Sequence, residues 1–288
     1  MKRLIISGAS GFLGSNIIKQ SNLPVVAITG REEKLKEINT DIEVVDTEAF
    51  LINGIPMTED DIFINCLFPT NADGFKMANG LEKVFRCIEL AYDCGVGSLI
   101  NISSQSVYNS KREVPAKEDD NLCLETPYAV AKYSSEVFSN SVFKDRKHTN
   151  IRMASLIGVD YEQRIINRMV GFALQGNPLK VVGGMQRYGF MDVRDAATGI
   201  LAVAYSDKTD WKQQYNLGRY GSCTLKEIAE LIKEKLNDKS IDIVINYSDG
   251  DDYRNSSIDS SIFMNDFNWL PSITLIQTVE EIIEYKMK

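Results

Sequence analysis

The chain has 288 residues, of which 44% are hydrophobic and 25% charged, a balance typical of a globular protein with a sizeable core. Its formal net charge is −8 and it has no basic run, so neither nucleic acid nor an anionic membrane surface is an expected partner. A single histidine, His148, and five cysteines without a CxxC pair exclude a Cys/His zinc site and favour reduced thiols in a cytoplasmic protein.

Short β-rich runs alternate with helical patterns over the first half of the chain. The predicted strands are RLIISGA, PVVAIT, IEVVD, DIFINCLF, SLINISS and NIRMASLIG. The predicted helices are FLGSNIIKQSN, EEKLKEI, FKMANGLEKVFRCIELAYDCG and the segment from Pro127 to about Phe143. This alternation predicts parallel β-α-β units, and hence an α/β protein with a Rossmann-like doubly wound parallel sheet.

The second half of the chain is more mixed. It has a predicted helix near Tyr161 to Leu174, strands near PLKVV, GFMDV and IDIVINY, and a helix in TLKEIAELIKEKL. We predict a dinucleotide-binding domain of residues 1–154, to which residues 181–204 return. Residues 155–180 and 205–288 are predicted to form a smaller C-terminal substrate-binding lobe over the carboxyl edge of the sheet, where open α/β sheets bind ligands.

The glycine pattern SGASGFLG connects the first predicted strand to the first predicted helix. Gly8 permits a tight turn, Gly11 lets a diphosphate approach the backbone, and Gly14 lets the helix pack closely on the strand. The N-terminus of the following helix offers free N–H groups to phosphates. The pattern therefore predicts a dinucleotide site.

The end of the second predicted strand indicates which dinucleotide is bound. An NAD site usually has an acid at this point, which binds the ribose 2′-hydroxyl. Here the strand is followed by Gly30 and Arg31, with Lys34 nearby. A guanidinium suits a 2′-phosphate, so we predict NADP as the cofactor and consider NAD less favoured.

Three motifs occur in an order that resembles a known superfamily. SGASGFLG, the serines of ISSQSVY and YAVAK resemble the extended short-chain dehydrogenase/reductase superfamily, and within it the NAD-dependent epimerase/dehydratase family that acts on nucleotide sugars. The segments GFMDVRDAATGI and RNSSIDSS extend the resemblance over nearly the whole chain. By this resemblance Ser104, Tyr128 and Lys132 are the catalytic residues.

The chemistry of these three residues explains the four-residue spacing of the tyrosine and the lysine. Residues i and i+4 share a helix face, so the ammonium of Lys132 can lie near the phenol of Tyr128 and bind the nicotinamide ribose. We expect this cation to lower the pKa of Tyr128 toward the range useful for proton transfer. Ser104 is expected to bind the reacting sugar oxygen.

The complete set of predicted cofactor-binding residues combines the glycine loop, the 2′-phosphate site and the catalytic helix with positions at the ends of the third and fourth predicted strands. It consists of Gly8, Ser10, Gly11, Phe12, Leu13, Gly14, Arg31, Asp46, Cys66, Leu67, Tyr128 and Lys132.

Departures from the family pattern narrow the predicted reaction. Gln105 and Ser106 stand where nucleotide-sugar dehydratases have an Asp-Glu pair, so water elimination is not expected. Ser155 replaces a common asparagine, and Tyr188 takes the position of the usual phosphate-binding arginine. The predicted substrate-binding residues are therefore Ser155, Asn167, Arg187 and Arg254.

Three functions remain open at this point. The favoured one is NADPH-dependent reduction of a nucleotide-linked keto-sugar, and the second is a nucleotide-sugar 4-epimerase whose cofactor is transiently reduced. The third is an NADP-binding redox sensor without turnover, which the intact Ser104, Tyr128 and Lys132 argue against. The family resemblance also implies a homodimer, formed through the helix of Tyr128 and the helix of residues 75–94.

Overall fold

The computed structural model describes residues 2–35, 38, 42–69 and 74–288. Its strands in chain order are β1 (Leu4–Ser7), β2 (Val25–Ile28), β3 (Ile42–Val45), β4 (Ile62–Asn65), β5 (Ser98–Ser104), β6 (Lys147–Met153), β7 (Ser155–Ile157), β8 (Leu179–Val182), β9 (Arg187–Tyr188), β10 (Phe190–Asp192), β11 (Gln214–Leu217), β12 (Cys223–Thr224) and β13 (Ile245–Ser248). Its helices are α1 (Phe12–Gln20), α2 (Thr47–Asn53), α3 (Gly74–Asp93), α4 (Pro127–Val142), α5 (Ile165–Leu174), α6 (Val193–Tyr205), α7 (Leu225–Asn237), α8 (Ser261–Phe267) and α9 (Leu275–Met287).

A parallel sheet forms the centre of the described structure, with the strand order β11-β6-β5-β4-β1-β2-β3. The order reverses between β1 and β4, as in a doubly wound sheet. The predicted fold class is confirmed. Strands β1, β2 and β4 are buried along their whole length, which explains why their sequences read as continuous apolar runs.

Both faces of the central sheet are covered by helices. Alternate residues of β1 show this, since Leu4 and Ile6 belong to a core shared with α1 and α6, whereas Ile5 belongs to a core shared with α3. On the α3 and α4 side of the sheet, Ser7 donates to Asn65, and a chain of buried amides continues through the central strands. These hydrogen bonds fix the relative positions of the carboxyl ends of the strands.

The smaller part of the molecule has its own core, formed by α5, α7 and α9 with β8 and β10. Three two-stranded sheets lie outside the central sheet: β7 with β10, β8 with β13, and β9 with β12. The helix expected from Tyr161 begins only at Ile165, and the strand expected in IDIVINY is confined to Ile245–Ser248.

Two strands lie elsewhere than the predicted division of the chain placed them. Strand β11 (Gln214–Leu217) falls in the predicted lobe, yet it pairs with β6 at the edge of the central sheet. Strand β8 ends within the stretch expected to return to the first domain, yet it pairs with β13 of the lobe. Strand β11 was not recognised in the sequence QYNL because the polar side chain of Asn216 interrupts the apolar pattern. In the folded chain, hydrogen bonds from distant segments satisfy this side-chain amide.

His148 also differs from its sequence interpretation as part of a solvated loop. It lies in β6, and its ring nitrogens are 3.0 Å from the carbonyl oxygen of Arg146 and 3.2 Å from Oδ1 of Asn140. Within the described ranges, no helix combines the length and apolar character needed to cross a membrane.

Candidate functional site

A cleft of about 1020 Å³ opens at the carboxyl ends of the central strands. Its walls are the glycine loop after β1, the ends of β4 and β5, the start of α4, and the segment from the end of β6 to the start of α5. It lies where the strand order reverses, between β1 and β4. This is the position at which open α/β sheets bind their ligands.

The glycine loop brings backbone close to backbone. Gly8 has a φ of +69°, and a Cβ at this position would lie 2.8 Å from the backbone nitrogen of Leu67. A Cβ at Gly14 would lie 2.6 Å from the carbonyl oxygen of Gly8. Gly11 precedes α1, and no side chain caps the first N–H groups of that helix. Such a cradle of free donors fits the diphosphate of a dinucleotide.

The end of β2 contacts the glycine loop. The hydroxyl oxygens of Ser10 and Thr29 are 2.6 Å apart, and Thr29 Oγ1 accepts the backbone N–H of Arg31 at 3.1 Å. Arg31 and Lys34 are exposed and line the cleft. Glu33 lines it as well, but no acid stands directly after β2.

The other predicted cofactor residues divide into two groups. Those that line the cleft are Ser10, Phe12, Leu13, Cys66 and Leu67. Burial raises the pKa of the Cys66 thiol to about 12, so this thiol is uncharged where it lines the cleft. Asp46 lies outside the cleft lining, because its carboxylate caps α2 by accepting the N–H groups of Glu48 and Ala49 at 2.9 and 3.0 Å.

Ser104 is the last residue of β5 and lines the cleft. The chain turns sharply after it through a 3-10 turn, Gln105–Val107. The Ser104 hydroxyl oxygen accepts the backbone N–H of Ser106 at 3.2 Å and its hydroxyl at 3.0 Å. Because Ser104 is the acceptor in both bonds, its own hydroxyl proton can still be donated, and its hydrogen bond with Tyr128 acts on the phenol.

Tyr128 lies in the first turn of α4. Pro127 begins the helix, and the hydroxyl of Thr126 caps it by accepting the N–H of Ala129 at 3.1 Å. The phenol ring lies edge-on to Phe68, with 5.5 Å between the ring centroids. Capping and ring packing together hold the phenol at the cleft wall.

The protonation of Tyr128 differs from the sequence-based expectation. Burial raises the pKa of its phenol above the ordinary value of 10, while the Ser104 side chain and the positive charge of Arg164 act in the opposite direction. The expected lowering by Lys132 is wrong for this structure, because desolvation outweighs the attraction of cations. The ammonium of Lys132 is 5.9 Å from the Tyr128 ring centroid.

Lys132 is buried beside the end of β5. Its Nζ donates to the carbonyl oxygen of Ile102 at 2.7 Å and lies 3.7 Å from the Phe68 ring centroid. Burial lowers the pKa of this ammonium to about 7, although nearby Cys66 and Glu136 favour the charged form. Lys132 therefore gains and loses its proton near neutral pH.

A buried ion pair, which the sequence interpretation missed, joins α4 to the central sheet. Glu136 and Arg152 are both buried, with 2.8 Å between Oε2 and Nη2, and Ser103 donates to the same carboxylate. Tyr128, Lys132 and Glu136 are spaced four residues apart, so the continuation of this spacing was the available signal. The pair fixes α4 against β5 and β6, which carry Ser103 and Arg152.

The predicted substrate residues do not come together. Ser155 lines the cleft, whereas the buried Asn167 donates to the carbonyl oxygens of Gly158 and Val159 at 3.0 and 3.2 Å. Arg187 and Arg254 are adjacent, since the N–H of Arg187 donates to the Arg254 carbonyl at 2.7 Å. Both lie outside the cleft lining.

The arginines that lie outside the cleft also have partners of their own. Nε of Arg254 donates to Asp252 Oδ1 at 2.9 Å, and Arg187 Nη1 lies 3.4 Å from the hydroxyl of Ser222. The cleft lining instead includes Gln105, Tyr161 and Arg164. These three were not predicted, although the last two lie in VDYEQR, the loop that follows a parallel strand.

The fold and the cleft define the class of the protein. A doubly wound sheet with a glycine loop at its switch point, followed by Ser104, Tyr128 and Lys132 around the same cleft, is the arrangement of the extended short-chain dehydrogenase/reductase superfamily. The chain belongs to the NAD-dependent epimerase/dehydratase family, whose sequence model matches residues 4–218. Enzymes of this family act on nucleotide sugars.

Curated relatives are distant in sequence. The chain is 24% identical over 300 aligned residues to UDP-glucuronic acid decarboxylase 1 of Arabidopsis thaliana, which covers 95% of this chain and 67% of that protein. It is 24% identical over 203 residues to dTDP-4-dehydro-6-deoxyglucose reductase of Escherichia coli, covering 67% of this chain and 62% of the reductase.

Solved structures match the whole chain. UDP-glucuronic acid 4-epimerase of Bacillus cereus, in complex with NAD, is 18% identical with a TM-score of 0.83, covering 99% of this chain and 96% of the epimerase. UDP-N-acetylglucosamine 4-epimerase of Methanobrevibacter ruminantium is 20% identical with a TM-score of 0.84, covering 100% and 99%. At these identities the likeness establishes the fold.

Proposed function

We propose that the chain uses a nicotinamide dinucleotide to reduce a keto group on a nucleotide-linked sugar, with NADPH as the preferred cofactor. The observation that carries this proposal is the convergence of Ser104, Tyr128 and Lys132 with the glycine loop in one cleft. The resemblance to the Escherichia coli reductase, whose name specifies a dehydro-deoxy sugar, supports the substrate class.

The residues of the chain divide the chemistry between them. When bound, the nicotinamide supplies the hydride. Tyr128 holds a proton on its phenol oxygen, because burial keeps that group neutral, and donates it to the reacting sugar oxygen. Ser104 orients the same oxygen by donating its hydroxyl proton. Lys132 lies beside Tyr128, where it can bind the ribose.

The preference for NADP rests on the residues that follow β2. Arg31 and Lys34 line the cleft, and both can pair with a 2′-phosphate. The position directly after β2 is Thr29, which offers no carboxylate to a ribose 2′-hydroxyl.

Epimerisation at C4 of a nucleotide sugar is the second candidate. It is favoured by the whole-chain likeness to 4-epimerases, which are named as complexes with NAD or with nucleotide sugars. The same three catalytic residues would serve it, with no net change of cofactor. Water elimination is disfavoured, because Gln105 and Ser106 line the cleft where a carboxylate pair would be needed.

A cofactor-coupled screen of nucleotide sugars tests this proposal. Purified protein is incubated with UDP-linked and dTDP-linked sugars and their 4-keto derivatives, while nicotinamide absorbance and product stereochemistry are followed. Stoichiometric consumption of NADPH supports reduction, whereas exchange of C4 isomers at constant absorbance supports epimerisation. Absence of both, with the cofactor bound, would rule out the proposed chemistry and favour a sensor.

A further inference from the structure

Phe68, in the loop after β4, contacts both of the proposed catalytic side chains of α4. The face of its ring lies over the ammonium of Lys132, with 3.7 Å between the ring centroid and Nζ. Its ring is nearly perpendicular to that of Tyr128, with 5.5 Å between the two centroids. All three residues line the cleft. Phe68 therefore joins the loop after β4 to the face of α4 that carries the lysine and the tyrosine.

The Phe68 ring is itself held in place. It is half-buried and packs against the core that the central sheet shares with α3. Pro69 follows it and favours an extended backbone at Phe68. Pro69 also packs on α3 so closely that a Cβ at Gly80 would lie 2.5 Å from the proline Cβ. The ring is thus a built part of the cleft wall.

The ammonium that the ring covers is buried without an anionic partner. Within the part of the chain that the structure describes, no carboxylate forms an ion pair with Lys132. Glu136, one turn further along α4, is paired with Arg152 instead, at 2.8 Å. The ammonium donates to a single carbonyl oxygen, that of Ile102. A buried cation needs compensation, and the negative face of an aromatic ring such as Phe68 supplies it.

The titratable groups around this ammonium do not replace the ring. Cys66 favours the charged ammonium only as a thiolate, and burial raises the pKa of its thiol to about 12. Burial also raises the pKa of the Tyr128 phenol, which is therefore neutral near pH 7. Strand β5 offers the carbonyl of Ile102, and Glu136 acts by its charge alone. The Phe68 ring is thus a main contact that favours the charged form.

We propose that Phe68 is a positioning residue of the catalytic centre. The face of its ring holds the Lys132 ammonium at the end of β5, and its contact with the Tyr128 ring fixes the phenol beside that ammonium. A part in turnover rests on the proposed function, whereas the contact with Lys132 does not. Because an ammonium has three donors, the Ile102 carbonyl and the ring leave one N–H for a ribose hydroxyl.

The test follows Lys132 by NMR in the whole chain labelled with carbon-13 lysine. The resonances of Lys132 are assigned as those that Lys132→Met removes. Wild type, Phe68→Leu, Phe68→Tyr and Phe85→Leu are each titrated from about pH 5 to about pH 11. Phe85 is a matched control, because it is also half-buried and stacks on α4, with 4.4 Å between its ring centroid and that of Phe138, outside the cleft lining.

We expect the Hε protons of wild-type Lys132 to resonate upfield of those of exposed lysines, because the ring current of Phe68 shields groups above its face. Phe68→Leu should abolish this upfield shift. It should also lower the midpoint of the Lys132 titration by about one pH unit, since the charged form loses the ring. Phe68→Tyr retains a ring and should preserve both properties, and Phe85→Leu should change neither. The wild-type shift needs no variant and decides the contact even where Phe68→Leu is unfolded.

Turnover of a nucleotide sugar is the second readout. With NADPH and a keto-sugar that wild type reduces, the alkaline decline of the pH–rate profile should move to lower pH in Phe68→Leu. The KM for the sugar should change little, because Phe68 acts through Lys132 and Tyr128. Phe68→Tyr should restore the wild-type profile, which simple loss of packing would not require.

Two results would overturn the inference. Absence of the upfield shift in wild type would show that the ring does not cover the ammonium. An unchanged midpoint in Phe68→Leu, or an equal change in Phe85→Leu, would make Phe68 a packing residue only. Failure of every nucleotide sugar to turn over, with the NMR results as expected, would remove the proposed function and leave the contact between Phe68 and Lys132 established.

Discussion

The two ends of the cleft are constructed in different ways. At the cofactor end the geometry belongs to the backbone, since Gly8 and Gly14 permit close approaches and α1 presents uncapped N–H groups. Around the end of β5 it belongs to side chains from distant segments, such as Gln105, whose orientation depends on Arg112 and the carbonyl of Ser257. Backbone geometry follows from local sequence, whereas side-chain partners depend on the complete fold.

The proposed catalytic residues combine these two kinds of construction. Tyr128 and Lys132 share one helix face by local spacing, but their protonation is set by burial at the junction of α4 and β5. Substitutions at the two ends of the cleft should therefore have different consequences.

Tyr128→Phe should have the largest effect. The substitution retains the ring that packs on Phe68 and removes only the hydroxyl. Because general acid catalysis contributes about 10²–10⁴-fold, turnover should fall by this factor. Cofactor affinity, measured by titration, should stay unchanged because the glycine loop provides it. Near-full turnover would show that the proton comes from elsewhere.

Lys132→Met should stabilise the protein without cofactor. The pKa of Lys132 is about 7 in the folded state and 10.5 for an unperturbed lysine, so between these values the unfolded state binds more protons. Wild-type stability should therefore rise with pH through this window, and the penalty for charging Lys132 should be fully present below pH 7.

Chemical denaturation at several pH values measures this effect. At about 1.4 kcal/mol per pKa unit, the advantage of Lys132→Met should amount to a few kcal/mol at pH 7 and disappear above pH 10.5. Lys144→Met, which changes an exposed lysine, should show no such dependence on pH. A variant less stable than wild type at pH 7 would mean that the ammonium is not desolvated.

Arg31→Asp should change cofactor choice at the far end of the cofactor site. Loss of a charge-assisted pair and introduction of an acid should weaken NADP binding about tenfold to a hundredfold and improve NAD binding. Fluorescence titration of both reduced cofactors measures the ratio. An unaltered ratio would assign the 2′-phosphate to another residue, and Lys34→Met would then be the next variant.

Arg254→Ala should have the smallest effect, although the sequence made Arg254 a substrate candidate. Its guanidinium is paired with Asp252 outside the cleft lining, so KM for a turned-over nucleotide sugar should change less than about twofold. Steady-state kinetics provide the measurement. A tenfold increase in KM would place Arg254 in the substrate site and contradict the described division of the cleft.

Some structural features were predictable because they depend on local periodicity. The alternation of apolar runs and helical patterns gave the doubly wound sheet, and the spacing of glycines gave the loop at its switch point. Strand β11 was not predictable, because the amide of Asn216 is satisfied only by Tyr108 and carbonyl groups far away in the chain. The buried pair of Glu136 and Arg152 was missed for the same reason.

The sequence by itself determined the family of this protein, the parallel sheet, the place of Ser104 at the end of a strand and the place of Tyr128 and Lys132 on one helix face. These follow from short-range rules, since one turn of helix or one glycine turn is sufficient to express them. The tertiary structure decided which cations reach the cleft. It placed Arg164 in the wall and Arg254 outside, and it raised the pKa of Tyr128 by burial. Burial and long-range partners are properties of the packed molecule, because desolvation depends on every segment that surrounds a group.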